Sequence, residues 1–74
     1  MAKSIGMIET KGMVQATKAA DVALKSAGVR LVGYDNAGDV RITVIVEGNI
    51  SAVKTAIQTA KLMVPGVTGS VKSE

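Results

Sequence analysis

The sequence predicts one α+β domain in the order β-α-β-β-α-β. Three observations predict it. The chain has 74 residues, enough for one small domain (residues 1–74). Four segments alternate apolar and polar residues and two have helical spacing. Turn-forming residues separate them. Because strand–helix–strand connections are right-handed, both helices should cover one face of a four-stranded antiparallel sheet. This ferredoxin-like topology leaves the other sheet face uncovered.

The first half of the chain predicts a strand and a helix. Ser4 to Glu9 form the strand, with apolar side chains on both faces, and residues 10–12 are the break. From Met13 to Ala27 the period becomes helical. The expected buried stripe is Met13, Ala16, Ala20, Ala23, Leu24 and Ala27. Because this stripe is mostly alanine, the helix can lie close to the sheet.

The middle of the chain predicts a β-hairpin. One strand runs from Val29 to Tyr34 and the next from Val40 to Val46. Residues 35–39, Asp-Asn-Ala-Gly-Asp, have the composition of a tight turn. The second strand alternates strictly, so we expect its residues Val40, Ile42, Val44 and Val46 to share one face.

The last third predicts a capped helix and a short final strand. Asn49 is a good N-cap residue, and the helix runs to about Val64 before Pro65 and Gly66 end it. Its expected stripe is Ile50, Val53, Ile57, Ala60 and Val64. Val67 to Lys72 predict the final strand. The uncovered sheet face is expected to carry Ile8, Val32, Tyr34 and Ile45, which self-association would bury.

Composition excludes several classes of site. With no Cys and no His, the chain cannot form disulfides, zinc motifs or His-based catalytic triads. The only aromatic residue is Tyr34, so the core must be thin. A chain this short buries little apolar surface by itself, and we expect a homo-oligomer.

Charge gives no sign of a nucleic-acid or membrane partner. The nine Lys and Arg residues are scattered, and only one aromatic side chain could stack on bases. No apolar run is long enough for a signal peptide or a membrane span. We therefore expect a cytoplasmic protein that binds neither.

We expect no catalytic, cofactor-binding or metal residues, no cofactor, and hence no enzyme. Asp35 and Asp39 lie four residues apart across the turn, a spacing that favours turn capping over acid–base chemistry. Ser51 and Lys54 are more typical of a solvated helix surface than of a catalytic pair. No phosphate-binding glycine motif is present.

Several segments carry a resemblance to a known family. They are Ile5-Gly-Met-Ile-Glu-Thr-Lys-Gly12, Ala19-Ala-Asp21, Lys25, Leu31-Val-Gly-Tyr34, Thr43-Val-Ile-Val-Glu-Gly-Asn49 and Ala52-Val-Lys54. In this order and spacing, residues 4–64 resemble the single-domain, hexamer-forming shell proteins of bacterial microcompartments.

The resemblance implies a structural role. Members of that family form cyclic hexamers that assemble edge to edge into the shell of a carboxysome or a metabolosome. A pore on the sixfold axis passes small polar metabolites. The implied partners are other copies of the chain, other shell proteins and the encapsulated enzymes, and the implied location is the cytoplasmic microcompartment shell. The alternative is a dimeric ferredoxin-like module that binds a ligand or has a regulatory role.

The resemblance also implies a pore loop. The family's motif, commonly Lys-Ile-Gly-Ser-Gly, corresponds here to Asn36, Ala37, Gly38, Asp39 and Val40. Asp39 replaces a small residue, so six copies would bring six carboxylates to one opening. Such a ring favours cations over anions. Alternatively, Asp39 turns away from the axis and caps the loop.

Two further features concern contacts between hexamers. Lys25 matches the family's edge lysine, although a solvated lysine paired with Asp21 is the alternative. Family members continue past the last strand with a Pro-Arg-Pro-His type of segment, whose arginine contributes to the same edge. This sequence lacks that C-terminal tail, so lateral assembly is an open question.

Overall fold

The structure, a computed structural model, describes residues 3–26, 28–36, 38 and 40–73. It contains the six expected elements in the expected order. They are β1 (Ser4–Lys11), α1 (Met13–Ser26), β2 (Arg30–Asn36), β3 (Arg41–Gly48), α2 (Ile50–Met63) and β4 (Thr68–Ser73).

The strands form one sheet in the order β2-β3-β1-β4, with antiparallel pairing throughout. The helices pack against each other. Helix α1 lies mainly on β1 and β3, while α2 lies on β1, β3 and β4. The predicted arrangement, a sheet layer and a helix layer, is confirmed.

The core lies between these two layers and is built from short side chains. The central strands contribute Ile8, Val44 and Val46, all fully buried. The helices contribute mainly small residues, namely Ala16, Ala19, Ala20, Ala23, Val53, Ala56, Ile57 and Ala60. A Cβ atom on Gly6 would lie 2.7 Å from Val53 Cγ1, which shows how closely α2 approaches β1.

The prediction of the uncovered face was wrong for two residues. Ile8 and Tyr34 both lie directly opposite Val44, in β1 and β2 respectively. Directly opposite residues of an antiparallel pair share a face, and Val44 is buried beneath the helices. Ile8 and Tyr34 therefore lie on the helix side. Ile45, which is opposite Met7, lies on the open face as expected.

Strand boundaries also differ from the prediction. Strand β1 does not break at Thr10 but pairs with β3 as far as Lys11, opposite Arg41. The Thr10 hydroxyl donates a 2.8 Å hydrogen bond to the Ile42 carbonyl, which holds this end of the strand. Strands β2, β3 and β4 start one residue later than predicted and end two, two and one residues later.

The predicted helix stripes contain three errors. Met13, Leu24 and Ile50 are 56%, 41% and 39% exposed. Ala19 and Ala56 are fully buried in the core instead. The helices pack on each other as well as on the sheet, so small residues on their facing sides are covered and large residues near the helix ends are not. Ala27 lies outside the described residues.

Candidate functional site

The predicted pore loop lies at one end of the molecule. Arg41, the first residue of β3, pairs with Lys11, the last residue of β1. Helix α1 therefore starts, at Met13, at the same end as the hairpin tip. Helix α2 ends there too, because the Gln15 side chain donates a 2.7 Å hydrogen bond to the Pro65 carbonyl. We call this the hairpin end.

Two hydrogen bonds close the hairpin turn, one to a side chain and one within the backbone. The Gly38 amide donates to Asn36 Oδ1 over 3.1 Å, and the Arg41 amide donates to the Gly38 carbonyl over 3.0 Å. Gly38 has φ of +96°, a conformation that favours glycine. Asn36, Gly38 and Val40 are exposed at the tip. The other two predicted pore residues, Ala37 and Asp39, lie outside the described residues.

The predicted edge residue lies at the opposite end of α1. Lys25 is in the last turn of that helix, roughly 18 Å along its axis from Met13 at 1.5 Å per residue. Its side chain is 75% exposed, and its Nζ lies 3.3 Å from Asp21 Oδ2. This ion pair is the one expected for a solvated lysine, and the edge role of Lys25 stays a prediction. The fold therefore keeps Lys25 well separated from the predicted pore loop.

Sequence reasoning missed a groove at the hairpin end. It has a volume of about 300 Å³ and is lined by Lys11, Val14, Gln15, Lys18, Met63, Val64 and Pro65. Gln15 braces it, since the Lys11 amide donates a 2.6 Å hydrogen bond to Gln15 Oε1 while Gln15 Nε2 donates to Pro65. The available signal was Val14, an apolar residue at the start of α1 that lies outside the predicted stripe.

A cluster of charged side chains lies at the end of the hairpin strands away from the turn. Arg30 Nε donates to Glu47 Oε1 over 2.9 Å, and Lys3 Nζ lies 3.7 Å from the same oxygen. The Arg30 hydrogen bond lowers the pKa of the Glu47 carboxyl below its usual value, against an opposing effect of burial. The Arg30–Glu47 pair links β2 to β3, and Lys3 approaches it from the start of β1.

Of the two residue pairs that the sequence offers for chemistry, the described part of the chain contains one in full. Within it, no group of three or more acidic residues is placed to hold a metal ion. Ser51 and Lys54 are both exposed on α2. The pair Asp35 and Asp39 falls partly outside the described residues. Across that same part, none of the helices has the length and apolarity needed to cross a membrane.

Comparison with known proteins identifies the family. The BMC domain model matches residues 4–73. The shell protein PduA of Citrobacter freundii is 45% identical over 71 residues, which cover 96% of this chain and 75% of the relative. Carboxysome shell protein CcmK1 of Thermosynechococcus vestitus is 44% identical over 69 residues, 93% of this chain and 61% of the relative.

A solved structure agrees with this fold. A microcompartment protein from Desulfitobacterium hafniense superposes with a TM-score of 0.86 at 26% identity, over 96% of this chain and 41% of the other. The matched domain spans all four strands and both helices of the structure. The chain therefore belongs to the BMC domain family and is a shell protein of a bacterial microcompartment.

Proposed function

We propose that the chain is a non-enzymatic building block of the shell, of which six copies close a ring around a central pore. Rings would join one another and other shell proteins around encapsulated enzymes in the bacterial cytoplasm. The observation that carries this proposal is the BMC domain match over residues 4–73, which includes the whole hairpin. With relatives named as shell proteins, a dimeric ligand-binding module is not favoured.

The hairpin tip is suited to line a narrow opening. Its turn is closed by hydrogen bonds among Asn36, Gly38 and Arg41. Val40 is 67% exposed, and Asn36 and Gly38 are exposed too. A ring built around this tip would bring residues 36–40 of each copy to the axis.

The oligomer is tested by the mass in solution. Six chains of 7.5 kDa give 45 kDa, whereas the dimeric alternative gives 15 kDa. We expect sedimentation equilibrium to yield the sixfold mass and electron microscopy to show discs with sixfold symmetry. A monomer or a dimer at micromolar concentration would contradict the ring.

The charge of the pore is tested at Asp39. Carboxylates about 6 Å apart in a ring repel by roughly 0.7 kcal/mol per neighbouring pair even at the dielectric constant of water, so the opening should attract cations. We expect Asp39→Ser to raise anion flux through reconstituted shell layers relative to cation flux, with Glu9→Gln, an exposed carboxylate on β1 outside the predicted loop, as the control. An anion preference of the parent protein at pH 7 would refute a carboxylate-lined pore.

A further inference from the structure

The groove at the hairpin end has an apolar side and a positively charged side. The apolar side is formed by residues at the start of α1 and around the end of α2, namely Val14, Met63, Val64 and Pro65. The polar side is formed by Lys11, Gln15 and Lys18. The volume of the groove, about 300 Å³, lies at the lower limit of small-molecule pockets in proteins. One copy of the chain contributes all of these residues, so the groove forms without a neighbour.

Hydrogen bonds hold the groove in shape. The Gln15 side chain accepts a 2.6 Å bond from the Lys11 amide and donates a 2.7 Å bond to the Pro65 carbonyl. These bonds tie the start of α1 to the segment that follows α2. The Val64 amide donates to the Ala60 carbonyl over 2.8 Å, and the Val64 side chain is only 5% exposed. A ligand would therefore meet a preformed surface, which lowers the entropy cost of binding.

The segments that line the groove carry only positive charge. Residues 10–20 and 50–73 include every lining residue, and they contain five lysines but no Asp or Glu. Arg41 lies directly opposite Lys11 in the sheet and adds a further positive charge nearby. The groove is therefore a favourable place for an anion.

The acids that are nearest in the sequence have partners of their own. Glu9 accepts a 3.4 Å hydrogen bond from the Thr68 hydroxyl of β4. Asp21 forms its ion pair with Lys25, and neither acid lines the groove. Among the described residues, the ion pairs use the cations of Lys3, Lys25 and Arg30. The two exposed lysines of the groove therefore present their charge to an anion that enters it.

We infer that this groove binds a small organic anion with a carboxylate head and a hydrocarbon tail. The head pairs with the ammonium groups of Lys11 and Lys18. The tail covers Val14 and Met63, which are 73% and 66% exposed. A purely polar anion would leave these apolar side chains in water, and an alcohol would leave the lysines unpaired. The groove therefore selects for molecules that carry both groups, and this site does not depend on the proposed ring.

Titration of the full chain with hexanoate tests this inference, with amide NMR signals as the readout. We expect saturable shifts of the signals of Val14, Gln15 and Lys18, weakened by added salt because the lysines are exposed. Acetate lacks the tail, 1-hexanol lacks the charge and hexylamine reverses it. Each of the three should bind at least about tenfold more weakly than hexanoate. Hexylamine binding as tight as that of hexanoate, or shifts spread over the whole surface, would overturn the inference.

A pair of lysine variants tests the position of the carboxylate head. Lys18→Gln removes one ammonium group from the groove and should raise the dissociation constant of hexanoate about threefold, the effect of one exposed ion pair. Lys54→Gln is the matched control, because Lys54 is exposed on α2 and does not line the groove. It should leave the dissociation constant unchanged. Equal effects of the two substitutions would show a response to net charge alone and would overturn the site.

A second pair of variants tests the position of the hydrocarbon tail. In the parent protein, each methylene group between butanoate and hexanoate should tighten binding about twofold. Val14→Ser should reduce this dependence on chain length. Leu62→Ser should preserve it, because Leu62 is 83% exposed on α2 and does not line the groove. Circular dichroism establishes that both variants fold. The same dependence in Val14→Ser as in the parent would contradict a tail that lies on Val14.

Sedimentation of the same samples separates this inference from the proposed function. A protein that binds hexanoate in the groove but forms no sixfold ring would contradict the ring and support the groove. A ring whose groove signals do not respond to hexanoate would overturn the groove alone.

Discussion

Small residues decide how closely the two layers approach. Gly6 of β1 and Gly69 of β4 both face α2. A Cβ atom on Gly69 would lie 2.5 Å from Ile57 Cγ2, and one on Gly6 would be nearly as close to Val53. The close packing of the sheet and helix layers therefore depends on glycines that have no Cβ atom, as well as on the alanines of the helices.

Adding one methyl group at Gly6 should destabilise the fold. The new Cβ of Gly6→Ala would lie 2.7 Å from Val53 Cγ1 and 3.0 Å from Val46 Cγ2. Overpacking of this kind typically costs 1–3 kcal/mol, and we expect about 2 kcal/mol in the free energy of urea unfolding, at matched protein concentration. The control is Gly28→Ala, where the methyl group meets open space. Equal effects of the two substitutions would refute the close approach.

The ion pair of Glu47 makes stability depend on pH in acid. Because Arg30 lowers the pKa of Glu47 in the folded state, the folded chain binds fewer protons than the unfolded chain at acidic pH. The contribution of Glu47 is therefore complete at neutral pH and is lost as the pH falls below about 5. Glu47→Gln should flatten the loss of thermal stability as the pH falls below the ordinary carboxyl range.

Arg30→Met provides the matched comparison for this pH dependence. It keeps the Glu47 carboxylate but removes the hydrogen bond that lowers its pKa, so it should flatten the same part of the profile. If both variants keep the slope of the parent, groups other than Glu47 cause the acid sensitivity.

At the scale of elements, local signals at its two ends set the bounds of α2. Asn49 has extended backbone angles, and its Oδ1 accepts a 2.9 Å hydrogen bond from the Ala52 amide. At the other end of α2, the Val64 amide donates to the Ala60 carbonyl, and Gly66 then turns the chain with φ of +89°. These signals lie within a few residues of each helix end, which is why the bounds of α2 were predictable.

Removing the cap should weaken the fold by an amount typical of N-caps. Asn49→Ala loses the acceptor for the Ala52 amide, and we expect a cost of about 1 kcal/mol in the free energy of unfolding. Asn49→Ser restores an acceptor oxygen and should recover most of this loss. Equal destabilisation by Ala and Ser would show that the side-chain hydrogen bond contributes little.

At the scale of the whole molecule, the hairpin tip and Lys25 lie near opposite ends of α1. If hairpin tips surround an axis, the far end of α1 faces away from it. Lys25→Ala should then leave the mass of the ring unchanged but reduce the extended sheets seen by electron microscopy, with Lys54→Ala as the control on α2. Loss of the ring itself would argue against an edge role for Lys25.

The sequence by itself determined the order of elements, the hairpin turn, the Asn49 cap and the family. It also excluded His- and Cys-based chemistry. These properties are local. The turn depends on a hydrogen bond between Gly38 and Asn36, which are two residues apart in the sequence. The helix cap depends on one between Ala52 and Asn49, which are three residues apart. For the predicted pore loop, the local pattern predicted an exposed turn, and Asn36, Gly38 and Val40 are exposed. It did not predict the groove that lies at the same end of the molecule.

Only the tertiary structure decided which surfaces are covered. Strand β1 carries apolar residues on both faces, so its own pattern did not reveal that Ile8 is buried; its pairing with Val44, 36 positions along the chain, did. The groove likewise depends on Val14 and Met63, which belong to different helices. Side-chain periodicity reports on neighbours a few residues away, whereas the choice of buried face is made by strands and helices that meet only when the chain folds.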